Sequence, residues 1–276
     1  MGDEVAISVS DTTRELGGLT TTADLAPRAG LFHRLYVSIA GKAPDLRPWH
    51  YQWLLGIPLY TELRPLLGTL RGSVLDVGCG YKPYSSWMPE VTRHYGIDVF
   101  AGPEVDAVIT AGKKWPVRDG EFDAVLCTQV LEHVADLDVT LSELIRALRP
   151  GGEAVITMPF IASEHNSPHD YRRLSRHGLP MLLRDRLDII SVRPHGGVGS
   201  TVGALLLSWT YDALPKSAGG RLLVVPLLPI WMSLCLIVNL AGLALDRLDH
   251  TGLYYGNILV HARRPASAPV KTAESL

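Results

Sequence analysis

A doubly wound α/β sheet, mostly parallel, is the architecture this sequence predicts, on three observations. The apolar run Val74-Leu75-Asp76-Val77 opens into a glycine turn, Gly78-Cys79-Gly80. Eighteen residues after Gly80 an acid, Asp98, stands at the end of a second run, Gly96-Ile97-Asp98-Val99. From there to Met158 strand-like runs alternate with a helix-like one, the pattern of parallel strands covered by helices on both faces.

In chain order, residues 1–28 are rich in Thr, Ser, Gly and acid without a sustained period and read as a mobile tail. No signal-peptide run opens the sequence. Residues 29–71 read as helical pieces broken by Pro44, Pro48, Pro58 and Pro65, with Phe32, Tyr36, Trp49, Tyr51, Trp53 and Tyr60 mostly destined for the core. The expected elements are then a strand at Val74 to Val77, a helix near Tyr84 to Met88, and strands at His94 to Val99, Val105 to Ile109 and Phe122 to Thr128. A helix from Asp138 to Leu148 and a strand from Glu153 to Met158 follow. Asp138 reads as the N-cap of that helix, Leu141, Leu144, Ile145 and Leu148 as its buried stripe, and Pro150-Gly151-Gly152 as its stop. Further strands are expected at Leu187 to Arg193 and Asn257 to Ala262, with a tail over 266–276.

Two glycines let the backbone leave a buried strand sharply while a ligand lies against bare main chain. The two acceptor oxygens of Asp98, at the end of the next strand, suit the vicinal hydroxyls of a ribose. A dinucleotide fingerprint would need a third glycine where Pro83 stands, so pyrophosphate cradling and a nicotinamide reductase are disfavoured. The chain resembles the class I S-adenosylmethionine-dependent methyltransferases, in particular the small-molecule branch called type 11. Four blocks carry the likeness, namely Val74 to Gly80, Gly96 to Val99, Phe122 to Val134 and Leu148 to Pro159, in matching order and spacing.

The resemblance implies a Rossmann-like, seven-stranded sheet whose last strand is antiparallel, N-terminal helices over the substrate mouth, and S-adenosylmethionine as cofactor. For the cofactor it implies Asp76, Gly78, Cys79, Gly80, Asp98 and Gln129. Gly78 and Gly80 face the methionine part, Asp76 fixes the loop through backbone amides or meets the ligand ammonium, Asp98 holds the ribose, and Gln129 reaches the methionine end. The acid such enzymes offer to adenine after the third strand is missing, since that place reads Ile109-Thr110-Ala111-Gly112; either Thr110 or backbone groups serve, or the cofactor binds more weakly. Glu132 and His133 read equally as substrate-facing and as turn residues.

Beyond the fifth strand, residues 159–175 place many polar groups past a buried strand, which suggests a substrate loop. Methyl transfer is an in-line displacement accelerated chiefly by alignment, and a base matters only where the acceptor keeps a proton. For a hydroxyl acceptor, His165 or His169 could take that proton, with Asp170 orienting and Arg173 gripping an anionic substituent. A hydrogen-bonded loop capping the next helix is the structural alternative.

With 26 basic against 28 acidic residues the chain offers no field for a polynucleotide, so no nucleic-acid partner is expected. Cys79, Cys127 and Cys235 lack paired metal spacing; they read as reduced, in a cytoplasmic setting, and no metal site is expected. Leu222 to Leu245 holds no charge over twenty-four residues, enough as a helix, at roughly 1.5 Å per residue, to cross a bilayer core of about 30 Å. It lies between two strands of one sheet, so a single crossing contradicts the fold. Two helices covering each other and the sheet, a re-entrant hairpin, or a paired crossing with Val198 to Tyr211 remain, besides an oligomer interface. Pro226 and Pro229 favour monotopic attachment of the insert, 198–250, with Arg221, Arg247, Arg263 and Arg264 near headgroups. The expected activity is therefore methyl transfer from S-adenosylmethionine, at the cytoplasmic face, to a small-molecule, sugar or lipid-linked acceptor. A non-catalytic membrane-assembly protein of the same fold is the alternative.

Overall fold

The computed structural model describes residues 31–215 and 223–266; the expected N-terminal tail, all of the expected C-terminal tail but residue 266, and Arg221 and Leu222 lie outside them. Two helices, α1 (Leu31–Ala40) and α2 (Trp53–Leu67), precede the sheet. β1 (Gly72–Val77), β2 (Val91–Asp98), β3 (Ala107–Val108), β4 (Phe122–Thr128), α3 (Leu137–Ala147) and β5 (Leu148–Pro159) follow. Then come α4 (Gly178–Leu183), β6 (Asp188–His195), α5 (Val198–Asp212), α6 (Leu228–Asp246) and β7 (Asn257–Arg263). Among the described residues the strands form one seven-stranded sheet in the order β3-β2-β1-β4-β5-β7-β6, parallel except for β7, which runs antiparallel to both its neighbours. This is a Rossmann-like methyltransferase sheet, and β1 stands beside the central β4, where the strand order reverses.

Successive side chains of a strand point to opposite faces, and both faces here are covered. Val74, Leu126, Val155 and Leu259 meet Leu59, Leu63 and Leu67 of α2. Leu75, Val77, Val125, Cys127 and Ile156 meet Leu141 and Leu144 of α3 on the other side. Burial on both faces explains the unbroken apolar runs of β1 and β4.

Several boundaries differ from expectation for identifiable reasons. Helix α2 continues through Pro58 and Pro65, because burial of Leu54, Leu59, Leu63 and Leu67 along one face outweighs the lost backbone bonds. The helix expected after the glycine loop is only a 3-10 turn, Ser85–Trp87; Pro83 and Pro89 leave too few residues between them for more. Asp136, not Asp138, caps α3, its Oδ1 accepting from the Val139 amide at 3.2 Å. That helix ends at Ala147, one residue before the expected Leu148, and the strand expected from Glu153 starts already at Leu148, which pairs with Phe122 of β4.

The apolar insert forms α5 and α6, packed on each other and on α2. Small residues set their approach: a Cβ on Gly199 would lie 2.1 Å from the Gly242 carbonyl oxygen. Asn239 of α6 donates to the carbonyls of Pro48 and His50, at 2.6 and 3.0 Å, tying the insert to the N-terminal cap. β6 and β7 flank the insert and pair with each other, which excludes a single crossing. Among the described residues Val225–Asp246 is the one helical stretch long and apolar enough to span a membrane, and only 22% of its most apolar window is buried. An ordinary buried insert would not leave Ile230 and Ile237 about two-thirds exposed, at 68% and 65%. Two of the arginines expected near headgroups are engaged elsewhere. Arg264 donates to the carbonyls of Ile145 and Leu148 at the end of α3, and Arg263 pairs with Glu153 at 3.1 Å.

Candidate active site

The glycine loop leaves β1 at Val77 and is held by β2. The amides of Gly78 and Cys79 both donate to the Ile97 carbonyl, at 2.8 and 3.2 Å. The Gly80 amide donates to Asp98 Oδ2 at 3.0 Å, and the Phe100 amide to Asp98 Oδ1 at 3.1 Å. Each oxygen of this buried carboxylate retains a second acceptor position. Asp98 therefore clamps the loop and can still accept hydroxyls from a ligand.

The two glycines answer different demands. At Gly78 (φ +68°) a Cβ would lie 2.4 Å from Val130 Cγ2, so internal packing requires its absence. At Gly80 (φ +52°) a Cβ would meet nothing within 4 Å. The loop thus presents bare backbone to open space beside the ribose-type acid, a cradle that fits an adenosyl ligand.

Other residues of the expected cofactor set lie differently. Asp76 does not fix the loop amides, which Ile97 and Asp98 hold. It shares the face of Val74, and its Oδ2 lies 2.9 Å from His94 Nε2 in a buried pair. Burial pushes its carboxyl pKa up. Cys79 turns its sulfur toward Gly96, where a Cβ would come within 2.5 Å of it, so contact with a ligand falls to its backbone. Burial raises that thiol to about 12. Gln129 sits at φ +54°, its amide donating to the Thr157 carbonyl at 3.0 Å and its Nε2 to Thr157 Oγ1 at 3.1 Å. Thr110 is exposed in the turn after β3.

Lys82 was missed by sequence reasoning. It adopts φ +48°, and its Nζ bridges Asp106 Oδ2 at 2.6 Å and the His94 carbonyl at 3.0 Å, which pins the outgoing loop to β2. The N-terminal cap reaches the same loop. Tyr81 donates to the Ala43 carbonyl at 2.6 Å, and a cleft of about 620 Å³, lined among others by Lys42, Arg47, Tyr81 and Pro83, lies between them.

The loop after β5 brings together residues that the sequence keeps 41 apart, Glu132 and Arg173 included. Arg172 donates to the carbonyls of Leu131, Val134 and Ala135, and the Tyr171 amide donates to the Glu132 carbonyl at 2.8 Å. Asp170 accepts from both terminal nitrogens of Arg173 and from the His165 amide. The Arg173 guanidinium holds the Asp170 carboxyl well below the usual carboxylate range. Arg173 is thereby committed to Asp170 and does not project toward an anionic substituent as expected.

His165 Nδ1 lies 3.4 Å from Asp170 Oδ2, with the imidazole 40% exposed. His169 lies apart, its Nδ1 2.9 Å from the Tyr171 hydroxyl, while its backbone carbonyl meets His133 Nδ1 at 2.6 Å. Beneath them Glu132 has no solvent exposure, and neither of its carboxylate oxygens has a hydrogen-bond partner. Burial pushes Glu132 up to about 7 and His133 down. A Glu-His pair in a turn gives no sign in sequence that its carboxylate will be sealed in by a loop thirty residues later.

Residues 56–195 match the family model described as methyltransferase domain. The chain belongs to the methyltransferase-domain family. Its sheet order and glycine cradle are those of an S-adenosylmethionine-dependent enzyme, and S-adenosylmethionine is the cofactor they fit. The enzyme is 30% identical over 144 residues to the tRNA (carboxymethyluridine(34)-5-O)-methyltransferase of Macaca fascicularis, covering 49% of this chain and 20% of that protein. It is 29% identical over 176 residues to the mitochondrial ubiquinone biosynthesis O-methyltransferase of Homo sapiens, covering 54% of this chain and 45% of that protein. The chain thus spans a fifth to under half of the length of these curated relatives. Among solved structures, the [4+2]-cyclase SpnF is similar at 20% identity with a TM-score of 0.49, over 74% of this chain and 81% of that one.

Proposed function

We propose that this enzyme, a member of the small-molecule type 11 branch, transfers the methyl group of S-adenosylmethionine to a hydroxyl of a small-molecule, sugar or lipid-linked glycan acceptor at the cytoplasmic face of a membrane. The observation that carries the donor half is the Asp98 clamp beside the open face of Gly80. Asp98 holds the ribose, and the backbone of Gly78 to Gly80 faces the methionine part. Gln129, at the end of β4, stands at the carboxyl edge where the sulfonium would lie.

The acceptor half rests on the loop after β5. Its imidazoles, His165 oriented by Asp170 and His169 beside Tyr171, are half-buried or exposed, as a proton acceptor for a hydroxyl must be. The oxygen-directed relatives point the same way, since both names describe methylation at oxygen. An RNA acceptor, as in the first of them, is not favoured by a net charge of −2. The lipid-linked reading rests on the exposed apolar sides of α5 and α6, where Trp209, Ile230 and Ile237 stand out. Such a surface would keep the crevice close to a bilayer-borne substrate.

The test is transfer of a radiolabelled methyl group from S-adenosylmethionine to lipid and aqueous cell extracts, followed by mild alkaline treatment to tell esters from ethers. Label in an oxygen-linked small molecule or glycolipid is the expected result. Label recovered only in RNA or protein, or on nitrogen, would overturn the acceptor assignment while leaving the donor site intact.

A further inference from the structure

No spacing in the sequence points to a metal site, yet Glu132, His133 and His165 converge so that one ligand atom from each lies within 4.8 Å of the others. We propose that these three side chains bind one divalent first-row transition-metal ion, of the zinc or cobalt kind. An ion held on His165 Nε2 leaves that ring no lone pair for a substrate proton, so with the ion bound the proton-acceptor role falls to His169, and the assignment depends on no choice of methyl acceptor.

Three observations support it. A carboxylate with no solvent exposure and no partner on either oxygen is costly to keep in a folded protein. The nearest nitrogens, His133 Nε2 at 3.6 Å and His165 Nε2 at 3.9 Å, stand beyond hydrogen-bonding distance of Glu132 Oε1. Glu132 is thus aimed into the gap between two imidazoles without bonding either.

The second observation is the tautomer each imidazole is given. His133 Nδ1 lies 2.6 Å from the His169 carbonyl, which can only accept, so the ring proton sits on Nδ1 and Nε2 carries a lone pair. His165 Nδ1 faces two acceptors, the Ser163 carbonyl at 3.3 Å and Asp170 Oδ2 at 3.4 Å; the one donor near it, Arg173 Nη2 at 3.5 Å, is farther away and already bonded to Asp170 at 2.6 Å, so the proton is placed on Nδ1 here too. Two imidazole lone pairs and a carboxylate then face one another with no donor among them, an arrangement a cation resolves. The backing of a ligating imidazole by a carboxylate or backbone carbonyl is the usual outer support of a histidine-bound metal.

The third is the frame. Arg172 staples the turn holding Glu132 and His133 to the loop holding His165 through the carbonyls of Leu131, Val134 and Ala135. The nearby guanidinium of Arg173 is paired with Asp170, which offsets part of its repulsion of an incoming cation. Metal bonds of about 2.0–2.1 Å give tetrahedral ligand edges of roughly 3.4 Å, a few tenths shorter than the two separations to Glu132 Oε1. The half-exposed His165 ring has the freedom to close the remaining distance. Two nitrogens and one carboxylate select zinc-like ions over magnesium or calcium, which take all-oxygen sets. Three protein ligands leave a position open for water or a substrate oxygen.

The experiment uses the full chain stripped with a chelator and dialysed, titrated calorimetrically with zinc chloride, with magnesium chloride in parallel. Cobalt(II) absorption reports the coordination geometry. We expect one zinc ion per chain, no binding of magnesium at millimolar concentration, and a tetrahedral or five-coordinate cobalt spectrum. Glu132→Gln and His165→Ala should each weaken zinc binding by about 100-fold or more, while His177→Ala, an exposed imidazole elsewhere, should leave it unchanged. The half-exposed His165 carries the test even where Glu132→Gln fails to fold. Absence of zinc binding by the native chain, or unchanged affinity in the folded His165→Ala variant, would overturn the site.

Discussion

Replacing Asp98 with asparagine removes one charge and one acceptor at the point where the loop and the proposed ribose site meet. In the native chain the carboxylate accepts two backbone amides, from Gly80 at 3.0 Å and Phe100 at 3.1 Å, and offers its remaining lone pairs to the ligand. Asparagine has one acceptor oxygen, so its NH2 must face either a donor amide or a donor hydroxyl. Hydrogen bonds to a charged group contribute about 1.5–3 kcal/mol each. With one ribose bond lost and the other weakened, donor binding should fall by about 2–4 kcal/mol, or roughly 30- to 1,000-fold in Kd. The stranded amide should also cost about 1–3 kcal/mol of stability, so the two effects must be read separately. Calorimetric titration with S-adenosylhomocysteine gives the first and urea denaturation the second. A folded Asp98→Asn variant that binds the demethylated product as tightly as the native chain would refute the assignment of this carboxylate to the ribose. A loss of stability alone would reduce Asp98 to a loop clamp.

His50 is 3% exposed between Tyr36 and Tyr51, and burial depresses its pKa from 6.5 to about 4. Because the unfolded chain takes up this proton first, stability falls as pH drops below about 6.5, by about 2–3 kcal/mol at pH 4.5. Urea denaturation of native chain and His50→Asn at pH 7 and pH 4.5 should show that difference only in the native chain; parallel behaviour would contradict it. Gly199→Ala, whose Cβ would stand 2.1 Å from the Gly242 carbonyl oxygen, should force α5 and α6 apart and cost about 1–3 kcal/mol in the same assay. The native chain should float with liposomes, and Ile230→Asp combined with Ile237→Asp should abolish flotation, each buried isoleucine being worth about 2 kcal/mol and so at least tenfold in partition. Flotation that survives both changes would move the contact off α6.

What was legible in the sequence follows the range of the forces involved. The glycine turn announces itself because a left-handed backbone and a close approach are demands on single residues, and Gly78 and Gly80 meet them visibly. β1 and β4 are legible because burial on both faces leaves no room for polar residues. The proline pair at 83 and 89 is visible in the sequence, but its consequence, a 3-10 turn in place of a helix, depends on how the distance between the two compares with the length of a stable helix. Lys82 in a left-handed conformation could not have been read at all, since its support comes from Asp106, twenty-four residues on. The same holds for Glu132. Its burial, its missing partners and its nearness to His165 are all properties of a loop that Arg172 folds back across the sheet edge. Histidine-rich composition drew attention to that loop for proton transfer. The arrangement of lone pairs, which only the fold creates, is what turns the same imidazoles toward a cation. A cysteine-spacing rule finds metal sites built from neighbouring residues; one assembled from a turn after β4 and a loop after β5 has no spacing to find.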